Sequence, residues 1–394
     1  MLLFAVAKSS SYTGGVRLDF YILLGVVRTK IAKIELGRIR IPLKKTFRTA
    51  KRTTAQVEDA VVKITTDDGV VGIGEAAPVA LITGETIGSI MEAIEKHIKP
   101  AIIGMNIMDF EEVMVRLHSC ILNNNGAKAA CDMALYDILS KYYGKPLYEF
   151  LGGFRKALRT DITISLDTVE TMVAEAVSMV NEGFDCLKVK VGGDFKRDIE
   201  RVRAIRDSVG KGVKIRIDAN QGWRPKEAIY AISQLAKYDI ELVEQPVAAN
   251  DLEGLKMVTE NSPVPVMADE SVFTPEDAVK IISMRAADML NIKLMKCGGI
   301  YNALKINAMA EAAGMECMVG SMIESPISVA AAAHLGAACP NITRFDLDAA
   351  YLLGEIPVEG GIVYCGPEIL FTGGEGLGIG KLKDEYYLPE NQNI

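Results

Sequence analysis

The feature that most constrains this chain is a recurrence in its second part. From residue 155 onward a short apolar stretch is followed by a charged amphipathic one, and the pair repeats at a spacing of roughly 23–28 residues. The apolar stretches are Asp161–Leu166, Cys186–Val191, Lys214–Asn220, Leu242–Pro246, Val266–Glu270, Met289–Leu294, Cys317–Met322 and Thr343–Asp348. Between them, segments such as Val169–Asn181, Phe195–Val209, Pro225–Lys237 and Pro275–Met284 carry apolar residues at helical spacing. Strands apolar on both faces and alternating with helices predict a parallel sheet, and eight of them predict a closed barrel. No strong helix follows the eighth strand. The expected fold is therefore α/β, a modified TIM barrel of the (β/α)7β kind over residues 155–350.

The remainder of the chain reads differently. Lys30–Pro42 and Val57–Thr66 alternate at period two, Asp67-Asp68-Gly69 is a hairpin signal, and Thr86–Ile98, Phe110–Leu122 and Ala127–Tyr143 have helical spacing. Strands followed by helices predict a separate N-terminal α+β capping domain over residues 28–154. The tail, 351–394, is rich in glycine and short strands and is expected to return to that domain. Its Gly373–Gly380 stretch has a loose GxGxxG spacing but no strand and helix around it, so it is read as turns and not as a dinucleotide site. Residues 1–27 hold two apolar runs too short to span a bilayer and no basic front for a signal peptide, and are expected to be a disordered or extraneous extension.

Composition narrows the function. With 44 basic against 51 acidic residues the chain carries a net −7, which argues against a nucleic-acid or anionic-membrane surface. Seven scattered cysteines without a CxxC pair predict neither a disulfide framework nor a zinc knuckle, and point to a reducing, cytoplasmic setting. The three histidines, His97, His118 and His334, all fall in helical stretches, so a metal would be held by oxygen.

In a parallel barrel, reactive groups sit at the carboxyl ends of the strands. There this chain places Lys188 and Lys190 on strand two, Asp218 on three, Glu244 on four, Asp269 on five, Lys293 on six, and Asp346 and Asp348 on eight. Charge inside apolar strands is costly unless paired or metal-bound, and its recurrence at one end of six strands points to a site. Asp218, Glu244 and Asp269, from successive strands, can converge; an oxygen-only set suits Mg²⁺ better than Zn²⁺. Lys188 and Lys190 share a strand face and are expected to lower each other's pKa, making a usable base. Lys293, four strands further round, faces them. Two bases flanking one metal-bound carboxylate can take a proton from one face of its α-carbon and return it to the other, with the metal and Lys188 stabilising the enediolate.

These residues carry a family resemblance. Leu187-Lys188-Val189-Lys190-Val191-Gly192, Ile217-Asp218-Ala219-Asn220-Gln221-Gly222-Trp223, Val243-Glu244-Gln245-Pro246, Ala268-Asp269-Glu270-Ser271 and Asn291-Ile292-Lys293-Leu294-Met295-Lys296 resemble the muconate-lactonizing-enzyme subgroup of the enolase superfamily. Within it the chain looks like the dipeptide epimerases. The resemblance implies that Asp346-Leu347-Asp348 binds a substrate ammonium. It implies that Thr163, Ser321, Met322 and Ile323 line the substrate pocket, and that Arg52, in a capping loop over Phe47–Thr53, meets an acidic side chain. It departs from the family at Val79-Ala80-Leu81 and at Ser321, where cysteine is common. The expected activity is Mg²⁺-dependent epimerisation of an L,L-dipeptide, Ala-Glu-like, at the C-terminal α-carbon, with Lys190 and Lys293 as the two bases. Alternatives are N-acylamino acid racemisation, o-succinylbenzoate synthesis, cycloisomerisation, or epimerisation of dipeptides with apolar or cationic side chains. The expected partners are the dipeptide and further copies of the chain, with no nucleic acid or membrane.

Overall fold

The structure is a computed structural model and describes residues 29–49 and 53–389; the expectations for residues 1–27 and for Arg52 fall outside the described residues. The chain opens with strand Ile31–Arg48, which pairs antiparallel with Thr53–Thr66 from Ile31 opposite Thr66 to Arg48 opposite Thr53. Asp67-Asp68-Gly69 turns the chain, with Gly69 at φ +91°, into Val71–Ala76 as the next antiparallel strand. The fourth strand of this sheet comes from the far end of the chain, where Tyr387–Pro389 pairs with Gly37–Ile39. The tail also serves the barrel side: Ile362–Cys365 and Glu368–Phe371 form a hairpin that pairs with Ala157–Arg159.

Helix Asn125–Tyr142 is buried almost all round, as a helix between two layers must be. Strand Val71–Ala76 lies directly on it. A Cβ at Gly72 would stand 2.0 Å from the Ala134 carbonyl oxygen and one at Gly74 would stand 1.9 Å from that of Ala130, so only glycine permits this approach. Asp137 of the helix accepts from the backbone N–H of Ile73 and of Leu377, fastening both strand and tail to it.

Eight parallel strands then run in sequence order: Ile162–Ile164, Cys186–Lys190, Lys214–Asp218, Ile240–Glu244, Val266–Ala268, Met289–Lys293, Glu316–Gly320 and Ile342–Asp346. Each sequence-predicted strand runs one or two residues past the observed carboxyl end, into residues that already belong to the loops. Between the first and last strands the ladder is replaced by single bonds. Asp161 N–H donates to the Phe345 carbonyl at 3.2 Å and Thr163 N–H donates to Asp348 Oδ2 at 2.7 Å. The helices between strands begin on side-chain caps such as Thr168, Asp194, Asp251, Thr274 and Ser325. After strand eight comes only a 3₁₀ turn, Ala349–Leu352, as a (β/α)7β barrel requires.

Period-two alternation fills the barrel in layers. At its amino end Arg216 bridges Asp161 at 2.8 Å and Glu241 at 2.7 Å. Above it Leu242, Met267, Met289 and Met318 form an apolar plug. The next inward positions on the strands carry the charged residues of the site.

Candidate active site

Strand register brings these side chains to one level. Lys190 is the partner of Asp218, Asp218 of Glu244, Lys293 of Gly320, and Gly320 of Asp346. Lys188 Nζ lies 2.7 Å from Glu244 Oε2, 2.7 Å from Asp346 Oδ2 and 3.1 Å from Asp218 Oδ2. Lys190 Nζ is 2.6 Å from the same Asp218 oxygen. Lys293 Nζ donates to Asp269 Oδ2 at 2.9 Å and stands 3.9 Å from Glu244 Oε1. Asp269 is held from its other side by Lys296, which also reaches the Asn291 carbonyl at 3.0 Å. All of these side chains are buried.

The loops that carry the site are strained or tightly packed. Asn220, Gln221 and Gln245 have φ of 43°, 67° and 34°, a cluster of left-handed non-glycine residues just after strands three and four. Gln245 repays part of that cost as a brace. Its Oε1 accepts from Asp269 N–H at 2.9 Å and Ser271 N–H at 3.1 Å, and its Nε2 donates to Ser271 Oγ at 2.8 Å. Gly192, following the lysine pair, has φ +99° and stands where a Cβ would be 2.0 Å from the Ala219 carbonyl oxygen.

The electrostatics correct one expectation from the sequence. Lys188 is not depressed by its neighbour: against the effect of burial, Asp346, Glu244 and Asp218 raise its pKa well above the ordinary lysine value. Three acids at contact distance outweigh one like charge two residues away. Lys293 is raised in the same way by Asp269. Despite burial, Lys190 and Lys188 pull Asp218 down to about 2. Burial and the Asp218 charge push Glu244 up to about 8.

Asp218, Glu244 and Asp269 fit a hard divalent cation. They offer oxygen only, on neighbouring strands, and burial together with their repulsion already drives Glu244 toward its protonated form. Two further buried oxygens nearby, Glu270 Oε2 and Asn220 Oδ1, have no hydrogen-bond partner, which is costly for an acceptor unless a donor or cation reaches it. As the side chains stand, ammonium groups hold the carboxylates, and among the described residues no three His, Cys, Asp or Glu side chains form a ready ligand cage.

Above this layer lies a pocket. Lys190, Asp269 and Lys293 form its floor, with Thr163, Asp346 and Asp348 on one side and Ser321, Met322 and Ile323 on another. Phe47, Thr49, Leu81 and Ile82 of the N-terminal domain close it from above. Burial and then the Asp346 charge push Asp348 up to about 6. Among the described residues the structure thus brings together the sequence-predicted ones, with Lys188, Asp218 and Glu244 beneath the pocket floor. It adds Glu270 and Asn220 to the pocket wall, and Gln245, Asn291 and Lys296 as supports; Asn291 Nδ2 donates to Glu244 Oε1 at 2.8 Å. All five stand inside the motifs quoted above, and Asn291, two residues before Lys293, shares its strand face.

Residues 33–152 match the mandelate racemase / muconate lactonizing enzyme N-terminal domain, and residues 171–384 match the enolase C-terminal domain-like family. An L-Ala-D/L-Glu epimerase of Clostridium acetobutylicum is 53% identical over 89% of this chain and 98% of its own length. A substrate-liganded complex of the L-Ala-D/L-Glu epimerase from Bacillus subtilis is 51% identical, covers 89% of this chain and 98% of its own, and superposes with a TM-score of 0.88. A dipeptide epimerase from Enterococcus faecalis, complexed with Mg and L-Leu-L-Tyr, is 46% identical over 89% of this chain and 100% of its own, with a TM-score of 0.86. The chain belongs to the mandelate racemase / muconate lactonizing enzyme family of enolase-like barrels.

Proposed function

We propose that this chain is a Mg²⁺-dependent dipeptide epimerase that inverts the α-carbon of the C-terminal residue of an Ala-Glu-like L,L-dipeptide. One observation carries the reading: Lys190 and Lys293, half a barrel apart, line one pocket directly over three convergent carboxylates. Asp218, Glu244 and Asp269 would hold Mg²⁺, which when bound supplies positive charge to the substrate carboxylate whose α-proton is leaving. Lys190 and Lys293 approach the α-carbon from opposite faces, one removing the proton and the other delivering one. Lys188, kept cationic by its acids, stabilises the negative charge that develops between these steps.

Asp346 and Asp348, on the pocket wall, suit the substrate's free ammonium. That favours a dipeptide over the N-acylated or cyclic substrates of sibling reactions, which bring no such cation. Arg52 is proposed to meet an acidic second side chain. The seven cysteines are all unpaired, which supports a reducing, cytoplasmic setting, and no helix among the described residues is long and apolar enough to cross a membrane.

The test is α-proton exchange in D₂O with Mg²⁺ and L-Ala-L-Glu. One deuterium should enter as the configuration scrambles, and exchange without inversion would reduce the site to one base. Lys190→Ala and Lys293→Ala should each abolish epimerisation while calorimetric Mg²⁺ binding persists; undiminished turnover in either removes that lysine from the chemistry.

A further inference from the structure

Two buried acids play no part in the chemistry above. Glu75 ends the Gly72-Ile73-Gly74-Glu75 run of the N-terminal sheet, on the strand face opposite the two glycines that lie against helix Asn125–Tyr142. Its carboxylate crosses to the barrel and is held there by three neutral donors: Ser325 N–H at 2.8 Å, Ser325 Oγ–H at 2.6 Å and Ser328 N–H at 3.0 Å. Glu324, its second acid, accepts from Met322 N–H at 2.6 Å and from the hydroxyl of that same Ser328. Glu75, Glu324, Ser325 and Ser328 are all at most 1% exposed.

Burying two acids whose hydrogen-bond donors are all neutral is expensive, and burial pushes Glu324 up to about 7; apolar side chains of the same volume would join the two domains as firmly. Hydrogen bonds to backbone N–H groups add something apolar contact cannot, a fixed position for the segment that donates them. Here that segment runs from the end of strand seven, Glu316–Gly320, into helix Pro326–Ala338. Its residues Ser321, Met322 and Ile323 form one wall of the pocket. The start of that helix also favours negative charge, which offsets part of the burial cost of Glu75.

We propose that Glu75 and Glu324 are positioning residues that set the substrate-side-chain wall of the pocket. Glu324 fixes Met322 from within the loop, and Glu75 fixes the loop's far end from the capping domain, so the docking of that domain and the shape of the wall are one arrangement. The proposal rests on the reading of this pocket as the dipeptide site.

Kinetics of four variants, Glu324→Ala, Glu324→Gln, Glu75→Ala and Glu75→Gln, with L-Ala-L-Glu test it. The alanine variants should raise KM about tenfold or more while kcat for α-proton exchange stays within about threefold, as expected when pocket contacts and not the reacting groups are disturbed. Glu324→Gln should restore KM, because its amide oxygen can still accept from Met322 and its amide N–H can donate to Ser328. A fall in kcat at unchanged KM, or a glutamine variant of Glu324 as impaired as alanine, overturns the proposal. Amide hydrogen exchange without substrate gives an independent reading. Met322, Ser325 and Ser328 should exchange slowly in the parent protein and faster in the alanine variants, and equal protection in both would also overturn it. A parent protein that exchanges no α-proton would remove the epimerase reading alone, with the amide measurement still deciding whether these acids hold the loop.

Discussion

A methyl group on residue 320 would stand 3.0 Å from Asn291 Oδ1, 3.1 Å from Asp346 Oδ2 and 3.1 Å from the Lys293 Cε. Strand seven thus contributes an absence to the site: its glycine leaves the space in which a base, an acid and a support side chain meet. Gly320→Ala should keep the fold, since strand backbone accepts alanine, yet push Lys293 by a few tenths of an ångström. Displacement on that scale is expected to lower kcat by roughly tenfold to a hundredfold. Circular dichroism and thermal unfolding close to the parent's, with reduced proton exchange, would bear this out; full activity would show that Lys293 has room to spare. The sequence made the charged residues legible because charge at strand ends stands out against apolar surroundings. It did not show which acids would surround Lys188, since Asp346 lies 158 residues away, and so the expected sign of that lysine's shift was reversed.

Elements were legible to the extent that their pattern is periodic. All eight barrel strands and the long helix of the N-terminal domain follow from runs of Val, Ile, Leu and Ala interrupted by capping residues. Contacts that join elements were not, because they depend on what a residue lacks. Gly72 and Gly74 read locally as weak strand formers, and their use appears only with helix Asn125–Tyr142 laid across them. Gly74→Ala tests this at the element scale. With a backbone carbonyl 1.9 Å from the new Cβ, strand and helix must separate, and overpacking of this kind costs about 1–3 kcal/mol or more. Urea unfolding should show the midpoint lowered by that energy divided by the m-value, whereas an unchanged midpoint would mean the layers part at no cost. Since Glu75 is the next residue, the same change should also loosen the pocket wall.

For the whole molecule, helix Pro326–Ala338 is the joint at which barrel, capping domain and tail meet. Its first turn receives Glu75, its C-terminal end receives Arg155, which donates to the Gly336 and Cys339 carbonyls at 3.0 and 2.8 Å, and its middle carries His334. That imidazole accepts from Tyr148 N–H at 3.0 Å, and its ring packs against both Tyr148 and Phe371 of the tail, which stack on each other. Burial, opposed by a backbone contact at Leu377, pushes its pKa from 6.5 down to about 4. The folded protein therefore favours the neutral ring, and between pH 6.5 and 4 the unfolded chain binds the proton that the folded one refuses. Stability from this group is complete above pH 6.5 and is lost as the pH falls, by about 3 kcal/mol at most. His334→Asn keeps an acceptor for Tyr148 and removes the titration; it should be less stable than the parent at pH 7 because it fills the space less well. Carboxylates that titrate in the same range are common to both proteins, so the difference between them isolates the histidine. Denaturant midpoints taken from pH 7 to pH 4 should converge, the parent falling faster toward the variant, with no further narrowing below pH 4. A constant gap across that range would mean that His334 meets protons as readily in the folded molecule as outside it, and that the joint between the three segments is open to water.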